Sequence, residues 1–171
     1  THGTSGSAYE DTPLIFDTGA SSGLTPFRAD FITYHPCHIE IKDISKTNIV
    51  IGMGLAMYKI QASNGDELFV PFPTYHLESA DVRLMSPQSY HQAYGGSTYL
   101  DGDRAIMHLV PPPGTRYPHD IEIPIDKKGS NLPMLYNVSC TKEEQDLIGP
   151  SFKSMMMMDE KYFAMGSTYN V

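Results

Sequence analysis

Leu14-Ile15-Phe16-Asp17-Thr18-Gly19-Ala20-Ser21 is the stretch on which the fold turns. Three apolar residues read as a short strand. An aspartate stands at its end. The glycine two positions on allows a tight turn where backbone comes close to a substrate. Thr18 and Ala20 are small enough to let two such turns approach each other. Two carboxylates held ~3 Å apart cannot both ionise and must share a proton. One is then a general base toward water and the other a general acid toward a carbonyl oxygen, and they titrate as a pair. A bare Asp-Thr-Gly reads first as an ordinary β-turn, and only the surrounding chain turns the reading toward a catalytic one.

Strand signals dominate the chain after this segment. His38 to Ile44 alternates polar and apolar at period two. Ser45-Lys46-Thr47-Asn48 is a polar break. Ile49-Val50-Ile51 and Met57 to Ile60 resume the pattern around two glycines. Asn64-Gly65 is a hairpin signal, because a type I′ turn needs two residues that tolerate positive φ. Glu67–Phe72 supplies the returning strand. Leu84-Met85 reads as a strand entering a short helix, with Pro87 suited to its first turn. Four weaker strands are expected at 97–100, 104–110, 120–125 and 132–138. Thr141-Lys142-Glu143-Glu144 fits a capping box and predicts a short helix to about Leu147, stopped by Gly149-Pro150. The chain reads as mainly β with one or two short helices.

Composition narrows the function classes. With 171 residues, 40% hydrophobic and 19% charged, the chain is apolar enough to fold as one domain and too sparsely charged for disorder. No apolar run approaches the ~20 residues that span a bilayer. Twelve basic against twenty acidic residues leave a net charge of −8, the wrong sign for nucleic acid or an anionic membrane surface. Cys37 and Cys140 are too few for a disulfide framework and suggest a reducing compartment. Thr1–Thr12 is polar, lacks a secretory pattern and reads as a flexible leader.

On the segment Leu14–Ser21, the Asn64-Gly65 turn and Leu84-Met85-Ser86 before a helix, the chain resembles the retropepsins. These are the aspartic proteases of retroviruses and LTR retrotransposons, and the closer similarity is to copia-type (pseudoviral) elements. Gly23–Phe31 is similar in wording to copia-type elements of diatoms. The likeness covers roughly 13–140, is most specific at 14–21 and loosens beyond 95. It implies an all-β, retropepsin-like closed barrel or sandwich with a flap hairpin, assembled as a two-fold homodimer. It further implies a leader at 1–12, a protease domain at 13–140, and at 141–171 a helix and linker toward the next polyprotein region. By the same resemblance Asp17 is the catalytic aspartate, Thr18 braces the paired loops and Gly19 permits the close approach. Ala20, Ser21, Leu84 and Met85 line the substrate. So does the flap tip of the hairpin His38–Ile60, formed by Asp43, Ile44, Ser45, Lys46, Thr47 and Asn48. Ser86 stands where most retropepsins have Gly, a departure shared with copia-type relatives.

The expected activity is therefore aspartic endopeptidase processing of a Gag-Pol type polyprotein, inside the cell within virus-like particles. It involves no cofactor, no metal, no nucleic acid and no membrane. The alternative is a non-catalytic retropepsin-like dimerisation or peptide-binding module. Only one Asp-Thr-Gly occurs; Asp101-Gly102-Asp103 lacks the order and the preceding strand. A dyad thus requires a second copy.

Other motifs have plainer readings. His35-Pro36-Cys37-His38 lacks paired zinc spacing and reads as a surface loop. Gly52-Met53-Gly54 lacks the Lys-Ser/Thr of a phosphate loop and reads as a flexible or bulged flap base. Met155–Met158 would cover every face of a helix, a poor amphipathic stripe. Ser7-Ala8-Tyr9 and Tyr162-Phe163-Ala164-Met165 are apolar segments at which such a protease would trim its own ends.

Overall fold

The computed structural model describes residues 4–42, 45–110 and 120–152. Along them run α1 (Thr4–Asp11), β1 (Leu14–Phe16), β2 (Gly23–Thr25), β3 (His35–Lys42), β4 (Thr47–Gln61), β5 (Glu67–His76), β6 (Arg83–Met85), α2 (Pro87–Tyr94), β7 (Ser97–Leu100), β8 (Arg104–His108), β9 (Ile121–Pro124), β10 (Met134–Leu135) and α3 (Lys142–Ile148). One sheet has the order β10-β1-β6-β2-β5-β4-β3 and the other β7-β8-β9. The mainly β expectation holds. Among the described residues both sheets are open, with β10 and β3 at the edges of the larger one; of the expected barrel or sandwich, the closed barrel is not formed.

The larger sheet is built around a long hairpin. β4 and β5 pair antiparallel from Gly52 opposite His76 to Gln61 opposite Glu67. The Asn64-Gly65 turn joins them, but not as type I′. Only the glycine takes positive φ (+93°), its N–H donates to Ala62 O at 2.9 Å, and Ala62 N–H donates to Asp66 O. Asn64 instead accepts from Asp66 N–H through its own side chain at 3.0 Å. The result is a longer, bulged hairpin loop with one left-handed residue.

Leu55, Met57 and Tyr58 of β4 and Val70 and Phe72 of β5 are buried with Met107 of β8 and Ile121 of β9. The small sheet therefore covers the large one across a shared core. A second cluster, Val50, Met53, Tyr75 and Leu77, fills the base of the β3–β4 hairpin against Cys37, Ile39 and Ile41. The expected flexible or bulged flap base, Gly52-Met53-Gly54, is a buried part of β4, and the bulge falls on the partner strand opposite Gly52 and Val50. Its glycines exist for room. A Cβ on Gly52 would lie 2.2 Å from the Tyr34 ring, and one on Gly54 would lie 2.1 Å from Thr33 O. His35-Pro36-Cys37-His38, expected in a loop, begins the edge strand β3, with a bulge between Pro36 and Ile39.

Both ends of the described chain are tied to the rest of the fold. The residues read as a flexible leader form α1 over Thr4–Asp11. Its composition does not favour a helix, and long-range bonds hold it: Tyr9 Oη donates to Cys140 O at 3.0 Å, and Arg83 reaches its last turn. At the other end the capping box is present. Thr141 Oγ1 accepts from Glu144 N–H at 3.1 Å, and Glu144 Oε1 accepts from Thr141 N–H at 2.9 Å. The chain continues past α3 through a 3₁₀ turn to Phe152, buried in the core.

The Thr141 amide, and after it Lys59, holds the Glu144 carboxyl below the usual glutamate range. That stabilisation is present above the ordinary glutamate pKa and fades as pH falls through the folded value. Thr141→Ala is expected to cost about 1 kcal/mol, a fall in Tm of about 2–4 °C at neutral pH, read by thermal melting. Met155–Met158 and the 162–165 segment lie outside the described residues.

Candidate active site

β1 delivers Asp17 to a turn at the sheet's end. β1 runs parallel to β6, with Phe16 level with Met85, and the ladder continues one step further as Asp17 N–H donates to Met85 O at 3.0 Å. β2 lies on the far side of β6, antiparallel, with Leu24 opposite Leu84. The segment between β1 and β2 thus loops over the end of β6. Parallel neighbours need a long crossover between them, and here the β3–β4–β5 segment provides it.

Inside the turn, Asp17 Oδ1 accepts from Gly19 N–H at 2.8 Å and Asp17 O from Ala20 N–H at 3.2 Å. These local bonds fix the carboxylate's direction without consuming its second oxygen. Asp17 is half-buried, and Thr18 and Gly19 are exposed. The turn is also tied from below by the residues after β6. Ser86 Oγ donates to Ala20 O at 2.8 Å and accepts from Ser89 N–H at 3.2 Å as the N-cap of α2. Gln88 Nε2 donates to Thr18 O. The serine at this position therefore bridges helix and turn with its hydroxyl, which a glycine could not do. Leu84 and Met85 were expected at the site, whereas Ser86 and Gln88 were not. Their signal is present in the sequence, since an N-cap serine ahead of Pro87 places both side chains at the start of a helix.

The remaining expected site residues fall into three groups. Ala20 is half-buried and Ser21 exposed, both within the turn. Leu84 is half-buried on β6, whereas Met85 is only 1% exposed and belongs to the core. What Met85 offers the turn is its carbonyl, not a side chain facing a substrate. Ser45, Lys46 and Thr47 are exposed at the tip of the β3–β4 hairpin; Asn48 there accepts from Ser79 Oγ at 3.2 Å. Asp43 and Ile44 lie outside the described residues. The element that the register brings against Asp17 is β6, not this hairpin, which extends beyond the row Gly52–His76–Thr25.

Two cavities, of about 340 and 310 Å³, lie elsewhere, between the β4–β5 turn and 135–138 and between Phe31 and α3. Neither is lined by Asp17. Among the described residues no cluster of three His, Cys, Asp or Glu side chains fits a metal ion, and no helix is long and apolar enough to cross a membrane. Ser7-Ala8-Tyr9 does not offer the extended backbone that a protease grips. It lies in α1, and the Tyr9 ring packs edge-on against Phe27 at 5.2 Å. No protein-family profile, no curated protein and no solved structure matches the chain.

Proposed function

We propose that the chain is an aspartic endopeptidase of retropepsin type, active as a two-fold dimer that pairs one Asp17 from each copy. The observation that carries this reading is the Asp17 turn. A carboxylate at a strand end is oriented by Gly19 N–H and buttressed by β6 and α2, while Thr18 and Gly19 remain exposed. Two elements hold this exposed, small-residue apex from beneath.

In this mechanism the ionised carboxylate of the pair takes a proton from a water as the water attacks the scissile carbonyl carbon. The protonated partner donates to the carbonyl oxygen, giving a tetrahedral diol; as the C–N bond breaks, the carboxyl that took the water proton passes it to the amine nitrogen, and a diol hydroxyl returns a proton to the other carboxylate. The substrate class is a peptide segment within a Gag-Pol type polyprotein.

Dimerisation makes the rate a test. Specific peptidase activity is expected to fall on dilution in step with the monomer fraction from sedimentation velocity. Undiminished activity in a preparation that sediments as monomer would overturn the paired-Asp17 site.

A further inference from the structure

One fully buried ion pair ties the N-terminal helix to the strands that lead to the turn. Arg83 and Asp30 have side chains 0% exposed. The guanidinium meets the carboxylate in a fork, Nε to Oδ2 at 2.8 Å and Nη2 to Oδ1 at 3.0 Å. Two of its other three protons go to α1 and the residue just past it: Nη2 donates to Tyr9 O at 2.8 Å and Nη1 to Thr12 O at 2.6 Å. The Arg83 backbone N–H donates to Pro13 O at 3.1 Å. The cation lies beside the touching rings of Tyr9 and Phe27, 5.0 and 4.8 Å from their centroids. Thr25 Oγ1 donates to Asp30 Oδ2 at 2.5 Å, which ties β2 into the same group.

Every strand that frames the Asp17 turn therefore meets at this one side chain. Arg83 opens β6, whose Met85 carbonyl holds Asp17 N–H. It pairs with Leu14, which opens β1, and through Asp30 it reaches Thr25, which closes β2. The carbonyls of Tyr9 and Thr12 lie at the C-terminal end of α1, where a cation is favourable to the helix dipole. Unwinding α1 would leave guanidinium protons buried without acceptors, and a buried charge does not tolerate that. The fork geometry is specific to arginine, because a lysine offers a point charge that cannot serve Asp30 and two carbonyls in one plane.

We propose that Arg83 is a positioning residue that makes α1 part of the active-site scaffold, so that loss of α1 loosens the Asp17 turn. This rests on the peptidase reading only for its effect on catalysis; the coupling of α1 to the turn is independent of it.

Two variants of the full chain test it. Arg83→Lys keeps the charge and removes the fork. Ala8→Pro breaks α1 without touching Arg83 or the turn. Native-state amide exchange is followed at Asp17 and Ala20, whose N–H groups bond within the site, and at Ile125, whose N–H donates to Asp103 O beyond the small sheet. In both variants exchange at Asp17 and Ala20 is expected to rise more than about tenfold while Ile125 is unchanged, the signature of local rather than global opening. Where the wild type cleaves peptide, kcat falls with the same variants and KM changes little. Unchanged exchange at the turn, or an equal rise at all three amides, overturns the proposal. Should either variant fail to fold, the other decides by the same comparison. Raised exchange at the turn in a protein that cleaves no peptide leaves the positioning role standing and removes the peptidase reading.

Discussion

Asp17→Asn is expected to lower peptide cleavage by about 10³-fold or more. In a paired site the substitution removes both carboxylates at once, so neither base nor acid remains. The amide is nearly the same size, and its oxygen can still accept from Gly19 N–H, the bond the turn uses at 2.8 Å. The turn, the ladder step to Met85 and the faces of Thr18 and Gly19 should therefore persist. Dimer formation and peptide affinity, read by sedimentation and fluorescence anisotropy, are expected within about threefold of wild type, because uniform binding does not depend on the reacting group. The alternative, a peptide-binding module without chemistry, predicts no cleavage by either protein. Cleavage that survives the substitution would place the reacting group elsewhere.

Asp30→Asn carries the largest expected loss of stability. It leaves the Arg83 guanidinium buried with no counter-charge, and breaking such a pair from one side costs about 3–5 kcal/mol. For a chain of this size that corresponds to a Tm lower by about 6–20 °C. The asymmetry of the effect is its check. Asp30→Leu combined with Arg83→Met removes both charges and is expected to melt nearer the wild type than Asp30→Asn does, since no lone ion remains. Thr141→Ala, a cap at an exposed helix start, should change Tm far less. A loss under about 1 kcal/mol for Asp30→Asn would be the value of an exposed pair, and would contradict the burial of both side chains.

Much of the local structure was legible in the residues. The alternation at 38–44 gave the edge strand its place, Ser86-Pro87 marked the start of α2, and Thr141 with Glu144 marked the start of α3, because caps and period-two patterns act over a few residues. Asn64-Gly65 located a turn but not its type, since both loop conformations accept that pair and the choice depends on the length of loop the register leaves. The failures share a cause. Thr4–Asp11 carries no helical signal of its own and is a helix because Arg83 and Cys140, far along the chain, supply or accept its bonds. Gly52 and Gly54 looked flexible because a glycine's neighbours are invisible in sequence, and here those neighbours are Tyr34 and Thr33.

For the candidate site, Asp17, its turn and its strand could be read directly from Leu14–Ser21, because an apolar run ending in Asp-Thr-Gly constrains its own backbone. Nothing in the spacing of positions 30 and 83 announced that they meet. Burial decides what such an encounter is worth. An arginine and an aspartate at the surface would contribute little, whereas withdrawn from water they must find each other and every remaining acceptor, and so bind the N-terminal helix, β2 and β6 into one frame.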